Sequence, residues 1–412
     1  MQKKFYPWMA FLVWLATALA CASPLGNGGG PPSSSDQVAT VVASTLQALT
    51  PGVSGAETPA APTGLLLHAM YFVNTDNAGM AQVYRLETDG KTIKQLTFEP
   101  LAVGLYDVSM ADGSVVYMAG NQLLLIQADG SGRRILVDGG PVDQNDPIAN
   151  SISNPIFSPN GQTIAYGHKG LNLYAVSSGV SNRVLEKPVV DPISGASVQG
   201  EWYWPEKYSP DGTKLLITVA IPNSDGISAG IYFPSANSLV RISGGGSALI
   251  CCGNPVWTLD GSALYSASST VGMFSSGLWK VDASNGVVTT LLPGEADGGN
   301  FNLANKPYLA PDGQLYFFYA TAASGSNGMI QRAPLQLVRS APDGVTDRTV
   351  LRSETFQFLN EALWAPDASF VIIAYAPIAD VYQGGILELY YTDAQKSMIS
   401  LLPYGQQMKW GP

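Results

Sequence analysis

A short turn signature returns about every fifty residues along this chain. It consists of an aromatic residue, a small polar residue, Pro, Asp or Asn, and Gly. Phe157-Ser158-Pro159-Asn160-Gly161, Tyr208-Ser209-Pro210-Asp211-Gly212 and Trp257-Thr258-Leu259-Asp260-Gly261 are the clearest copies. Leu309-Ala310-Pro311-Asp312-Gly313 and Trp364-Ala365-Pro366-Asp367-Ala368 follow, and Ser109-Met110-Ala111-Asp112-Gly113 reads as a weaker copy one period earlier. The first residues of the six copies are 48, 51, 49, 52 and 55 positions apart. A period of that size restricts the fold to a propeller, a solenoid or another array of small stacked units.

Each turn is followed by an apolar, β-rich run such as Leu215-Leu216-Ile217-Thr218-Val219, then a polar gap and a second run such as Gly277-Leu278-Trp279-Lys280-Val281. Asp89-Gly90, Asp129-Gly130, Asn285-Gly286 and Asp343-Gly344 end several of the second runs, and a third run closes the unit. Asp-Gly and Asn-Gly favour tight hairpins because both residue types accept positive φ at low cost. With a strand ahead of the first turn, each unit is a four-stranded antiparallel meander, and no sustained helical period follows residue 65.

A lone four-stranded sheet cannot bury both faces, whereas sheets packed radially bury one another. The units span about 65–98, 101–138, 148–187, 199–245, 250–293, 300–352 and 356–402. The expectation is an all-β fold: a seven-bladed β-propeller of four-stranded antiparallel blades over residues 65–412. The first unit lacks the aromatic turn, and the chain ends in Lys409-Trp410-Gly411-Pro412, 46 residues after Trp364, as if beginning another copy. The C-terminus is therefore expected to supply the inner strand of the first blade and to close the ring, which removes exposed sheet edges. A frayed tail is the alternative.

The spaced aromatic–Ser–Pro–Asp–Gly turns, with third strands of the Leu-Tyr-Ala-Val kind, resemble the TolB-like β-propeller family, which extends to propeller domains of periplasmic lipoproteins and of prolyl-oligopeptidase-type enzymes. The resemblance covers about 65–412 and departs from the pattern at Ser109, Leu309 and Leu259. It implies the fold and, by analogy, a sensor or assembly role within an envelope complex. It says little about chemistry.

Residues 1–20 read as a signal peptide: Lys3 and Lys4, then an apolar run from Phe5 to Ala20, too short to cross a bilayer comfortably. Ala18-Leu19-Ala20-Cys21 resembles a lipobox in which Cys21 would carry lipid and anchor the chain to a membrane; cleavage after Ala20 or Ala22 for simple secretion is the other reading. Residues 21–64 are rich in Gly, Pro, Ser and Thr and read as a flexible tether, with a short helical face from Val38 to Leu49. Loss of residues 1–20 takes two lysines and no acid, so the net charge goes from −10 to −12. With no Lys/Arg cluster, nucleic acid is not an expected partner. Cys251 and Cys252 form an adjacent pair, read either as a vicinal disulfide or as two free thiols.

No catalytic set stands out. There are two histidines, His68 and His168, too few for the clustered imidazoles of metal-dependent propeller enzymes. Gly226-Ile227-Ser228-Ala229-Gly230 matches a nucleophile-elbow pattern but sits in a hairpin context with no downstream histidine. Asp138, Asp143, Asn145 and Asp146 cluster in one segment without matching a calcium loop, which leaves a solvated loop as the reading. No cofactor or metal is expected.

Binding residues are sought where the inner strands begin. Three positions before the aromatic site stand Asn154, Pro205, Asn254, Lys306, Glu361 and Gln407. Beside them runs Glu201-Trp202-Tyr203-Trp204-Pro205-Glu206-Lys207-Tyr208, and Asp380 and Tyr382 lie on one of the longer connections. Aromatic rings next to carboxylates suit sugar stacking or peptide capture, unless the rings fill gaps between blades. The expected ligand residues are Trp202, Tyr203, Trp204, Glu206, Asn154, Asn254, Lys306, Glu361 and Tyr382. The expected function is a monomeric, non-enzymatic extracytoplasmic binding or scaffolding propeller for an envelope protein or glycan. The alternative is a glycan-active lyase or hydrolase using channel carboxylates such as Glu201, Glu206 or Glu361.

Overall fold

A computed structural model describes residues 64–142, 148, 150–186, 200–220, 227–242, 255–271, 275–323 and 332–412. The signal peptide, Cys21, the tether up to residue 63, Asp143, Asn145, Asp146, Cys251, Cys252 and Asn254 lie outside the described residues. Among the described residues no helix is long and apolar enough to cross a membrane.

The strands follow in chain order. β1 (Met70–Thr75), β2 (Ala81–Leu86) and β3 (Ile93–Gln95) come first. β4 (Tyr106–Val108), β5 (Val115–Ala119), β6 (Gln122–Ile126) and β7 (Arg134–Asp138) form one four-stranded sheet. β8 (Ser153–Phe157), β9 (Thr163–Gly167), β10 (Gly170–Ala175) and β11 (Val180–Glu186) form the next. β12 (Trp202–Tyr208), β13 (Leu215–Ala220), β14 (Ile227–Phe233) and β15 (Ser238–Arg241) form a third. β16 (Val256–Trp257), β17 (Ala263–Ser268), β18 (Gly277–Asp282) and β19 (Val288–Leu292) form a fourth, and β20 (Asn300–Leu309), β21 (Leu315–Ala323), β22 (Leu335–Ser340) and β23 (Thr349–Phe356) a fifth. β24 (Leu359–Trp364), β25 (Phe370–Tyr375), β26 (Gly385–Tyr391) and β27 (Ile399–Trp410) join β1 to β3 in one seven-stranded sheet. All pairings are antiparallel and follow chain order, as the hairpin signals require, except that β27 pairs on one side with β26 and on the other with β1. Leu402 faces Leu387 on the first side, while Gln406 faces Val73 and Trp410 faces Met70 on the second. The Lys-Trp ending thus lies against the first unit, as its sequence leads one to expect.

The apolar side chains do not form one core. Among the described residues they gather in seven clusters, six of them drawing mainly on two strand sets that are consecutive in sequence and one on the last and the first. Ala165 and Leu171 meet Tyr203, Tyr208 and Ile217 in one of them; Leu66, Met70 and Phe72 meet Phe370, Ile372 and Leu387 in another, which joins the end of the chain to its beginning. Each sheet therefore buries its faces against its neighbours, the distributed core of an all-β propeller.

The repeated turn has a specific hydrogen-bond circuit. Ser209 Oγ donates to Asp211 Oδ1 at 2.5 Å and accepts the amide of Lys214 at 3.0 Å, while the Gly212 amide donates to Ser209 O at 2.8 Å. Thr258 and Asp260 repeat it at 2.6 Å, with the Ala263 amide on the Thr258 hydroxyl at 3.1 Å. The final glycine has positive φ, 70° at Gly212 and 65° at Gly261, which is why the signature ends in Gly. Ala368 fills that position in the last copy with φ of 57°. The weak copy is realigned: β4 ends at Val108, so Val108 occupies the aromatic position and Ser109 is the hydroxyl residue of a turn one residue longer, in which the Gly113 amide donates to Ser109 O.

Candidate ligand site in the central channel

Five of the inner strands, β8, β12, β20, β24 and β27, are interrupted where they leave the loops. The ladder shifts register between Ser153 and Ile156, Pro205 and Lys207, Asn305 and Tyr308, and Leu359 and Glu361, and between β27 and β1 around Gln406. Asn154, Lys306 and Gln407 take φ of 47°, 51° and 55° at these bulges. A bulge leaves one residue out of the ladder and turns side chains away from simple alternation. It also strands a carbonyl, and the aromatic site of the next set satisfies it. The indole of Trp257 donates to Lys207 O at 3.1 Å and that of Trp364 to Lys306 O at 3.0 Å, while that of Trp410 reaches a carbonyl away from the bulge, Trp364 O, at 2.7 Å. The aromatic of the repeat therefore ties neighbouring inner strands together.

The seven strands β4, β8, β12, β16, β20, β24 and β27 line a channel with two compartments. At the loop mouth, Leu105, Val256, Lys306, Asn360, Glu361, Tyr382, Gln406 and Gln407 are among the residues around a cavity of about 400 Å³. At the turn mouth lies one of about 700 Å³. The residue just before the aromatic site faces it from every one of these strands: Asp107, Ile156, Lys207, Val256, Tyr308, Leu363 and Lys409. Val256 and Gln407 line both cavities, so the compartments abut.

At the loop mouth, Glu361 is held by backbone: Oε1 accepts the Gly384 amide at 3.3 Å and Oε2 the Met408 amide at 3.1 Å. Asn360 Nδ2 donates to Gly384 O at 2.6 Å and Asn360 Oδ1 accepts from Arg332 at 2.7 Å. Arg332 also donates to Ala379 O and Val381 O, and its guanidinium lies 4.9 Å from the centre of the Tyr382 ring and 5.1 Å from that of Phe358. The connection 376–384 is pinned from three directions, and Tyr382 remains 63% exposed as a fixed aromatic platform. Facing the cavity, Lys306 makes no side-chain hydrogen bond or ion pair among the described residues. Burial pushes its amine down to about 8, with Glu361 acting in the opposite sense.

At the turn mouth, Lys409 Nζ pairs with Asp107 Oδ1 at 2.8 Å, and Asp107 Oδ2 accepts the Phe157 amide at 2.7 Å. The Tyr106 hydroxyl donates to Gln407 O at 2.7 Å. Lys207 and Glu206 are open to channel water yet walled by protein. Burial pushes the Glu206 carboxyl up, against the Thr218 hydrogen bond and Lys409, and pushes the Lys207 amine down, helped by Lys409 and opposed by Asp107.

The expected ligand residues separate on this scaffold. Lys306, Glu361 and Tyr382 meet at the loop mouth, and Glu206 lies in the other compartment. Asn154 is half-buried at its bulge and lines neither cavity. Tyr203 is buried in an apolar cluster and gives its hydroxyl to Glu201 at 2.9 Å, which assigns it to the gap-filling reading. Trp202 and Trp204, half-buried, stack on each other with centroids 6.1 Å apart. Glu201 is engaged by Arg241 as well. Ser228 lies on β14, in a strand rather than at a strand-to-helix turn, so the elbow pattern has no elbow. Among the described residues no group of three or more His, Cys, Asp or Glu is placed to hold a metal. The ring of residues before the aromatic site escaped the sequence reading; its only signal was position, since the residue types share nothing.

No protein-family model matches the chain, and no curated protein sequence does. Solved structures do. An oligogalacturonate lyase in complex with manganese is 10% identical over 82% of this chain and 86% of its own, with a TM-score of 0.50. A prolyl endopeptidase is 12% identical over 84% of this chain but 49% of its own, with a TM-score of 0.51, so the chain spans about half of that enzyme. TolB from Acinetobacter baumannii is 15% identical over 93% of this chain and 74% of its own, with a TM-score of 0.43. At these identities the likeness to the lyase and the endopeptidase is one of fold, and together with the sheet order it identifies the chain as an all-β propeller.

Proposed function

We propose that this protein is a non-catalytic recognition propeller of seven blades, clasped by β27, that grips a polar partner, an envelope protein segment or glycan, at the loop mouth. The observation that carries this reading is Tyr382, an exposed ring immobilised by Arg332 beside the unpaired Lys306 amine in one cavity. A fixed ring offers stacking area with little ordering entropy left to lose, and a cation next to it adds direction. An unpaired amine in a confined channel weakens the fold, which a bound anionic or carbonyl-bearing partner would offset. Glu361, whose two oxygens hold backbone amides, serves this site as a brace. The Cys21 lipobox and the tether after it supply the extracytoplasmic, membrane-anchored address in this reading; intact mass of the membrane-extracted chain tests it.

The binding test is crosslinking in native envelopes together with a glycan array, using the unaltered protein, Tyr382→Ala and Lys306→Met. Both substitutions should lower capture of the same partner by about tenfold or more. Capture unchanged by both would contradict the assignment of the loop mouth.

One observation favours a second reading, a glycan-active enzyme. Glu206, pushed up by burial, shares a cavity with Asp107, which is paired with Lys409, and two carboxyl groups in unlike environments are the raw material of acid–base glycosidic cleavage. Turnover on a polysaccharide panel that is lost in Glu206→Gln would replace the binding reading with this one.

A further inference from the structure

We propose that the turn-mouth compartment is a second binding site, for a small organic carboxylate with an apolar body that sets its charge on Lys207. Three observations converge on it. The compartment is built, not incidental: one side chain from each of seven inner strands faces it, and its volume of about 700 Å³ suits a small molecule. Its charges are unequal in their commitments. Asp107 is occupied on both oxygens, by Lys409 Nζ at 2.8 Å and by the Phe157 amide at 2.7 Å. Glu206 is turned to Thr218 and acts on Lys409, and it is not among the charges that act on Lys207. Lys207 alone makes no side-chain hydrogen bond or ion pair among the described residues, although its backbone carbonyl is fixed by Trp257. Apolar side chains make up much of the remaining wall, Ile156, Val256 and Leu363 among them, beside the polar Ser158, Ser209 and Gln407.

An ammonium group in such a space loses bulk hydration and gains no partner, and its proton affinity falls accordingly. One free positive charge calls for one negative charge; a carboxylate meets it with a charge-assisted hydrogen bond, while the apolar wall takes an aliphatic or aromatic body. A dianion would find one uncommitted ammonium for its two charges, because Lys409 is held by Asp107, and a cation would be repelled by Lys207. The site is separate from the loop mouth and stands without the reading given for it.

The test is calorimetric titration of the full chain with sodium benzoate, benzyl alcohol and benzylamine. Benzoate is expected to bind with a dissociation constant on the order of 1 mM or tighter, and the other two at least about tenfold more weakly. Lys207→Met should remove the preference for benzoate, Lys207→Arg should keep it, and the exposed Lys280→Met should leave it unchanged. Equal binding of benzoate and benzyl alcohol, or no benzoate binding at about 20 mM, would overturn the proposal in the unaltered protein, whatever the variants' stability. Retention of the preference in a folded Lys207→Met would overturn it too. Because Tyr382→Ala leaves this compartment intact, it should leave benzoate binding as it is even where partner capture fails.

Discussion

Glu361 on β24 accepts the backbone amide of Met408, 47 residues later, at 3.1 Å, and with its other oxygen the amide of Gly384 at 3.3 Å. One carboxylate therefore joins the start of an inner strand, the connection that carries Tyr382 and the last strand of the chain. Removing it leaves two amides to find other partners, at about 1–3 kcal/mol. Glu361→Ala should lower the urea midpoint and raise hydrogen exchange at Gly384 and Met408 together, whereas Glu361→Gln should retain part of the effect. Separate behaviour of the two amides would show that the carboxylate does not couple them.

The indole bonds make a second prediction. Trp364→Phe keeps the ring that stacks on Tyr308 at 5.9 Å but removes the donor to Lys306 O. The stranded carbonyl should cost about 1–2 kcal/mol in chemical denaturation. Trp257→Phe, which frees Lys207 O, should behave alike. A loss much below this in both would mean that water satisfies the bulge carbonyls as well as the indoles do.

Ala368 stands where four other turns place glycine with φ between 65° and 78°. An L side chain at its φ of 57° is strained by about 1–2 kcal/mol, part of which returns as glycine's larger unfolded-state entropy. Ala368→Gly should therefore stabilise the protein by a few tenths to about 1 kcal/mol. Destabilisation would mean that the buried methyl group contributes more than the strain.

The repeat's aspartates bear on acid stability. The Ser209 hydroxyl holds the Asp211 carboxyl down at about 2, and the Thr258 hydroxyl does the same for Asp260 at about 2. A depressed folded value means that the contribution is complete above the unfolded value of about 4 and fades as pH falls toward 2. The aspartates are exposed, so each is worth no more than about 1 kcal/mol. Asp211→Asn should destabilise at pH 6 and differ little from the parent near pH 2.5. A gap that stays constant over that range would assign the effect to side-chain geometry rather than charge.

What was legible in the sequence follows from the same chemistry. The turns are readable because Ser-x-Asp-Gly is a local circuit: its partners lie within five residues. The C-terminal strand was readable because Lys409-Trp410 repeats a pattern whose aromatic has a fixed job between neighbours. The channel ring was not. Alternation predicts which side chains share a face, and a bulge in β12 and in β27 shifts that phase by one, so Lys207 and Lys409 face the lumen from positions that plain counting assigns elsewhere. Tyr203 and Glu361 illustrate a second limit. Both are residue types that suit ligands, and their neighbours, an apolar cluster and two backbone amides, carry no signature in the sequence.

β27 belongs to two sets of strands at once. Ending the chain after Gln407 removes Met408, Lys409 and Trp410 from the edge of β1, together with the Lys409–Asp107 pair and the Trp410 indole bond. Thermal and urea unfolding of this truncated protein should show a loss on the order of 5 kcal/mol, or failure to fold cooperatively. An unchanged melting temperature, with β1 amides as protected from exchange as before, would contradict that double membership.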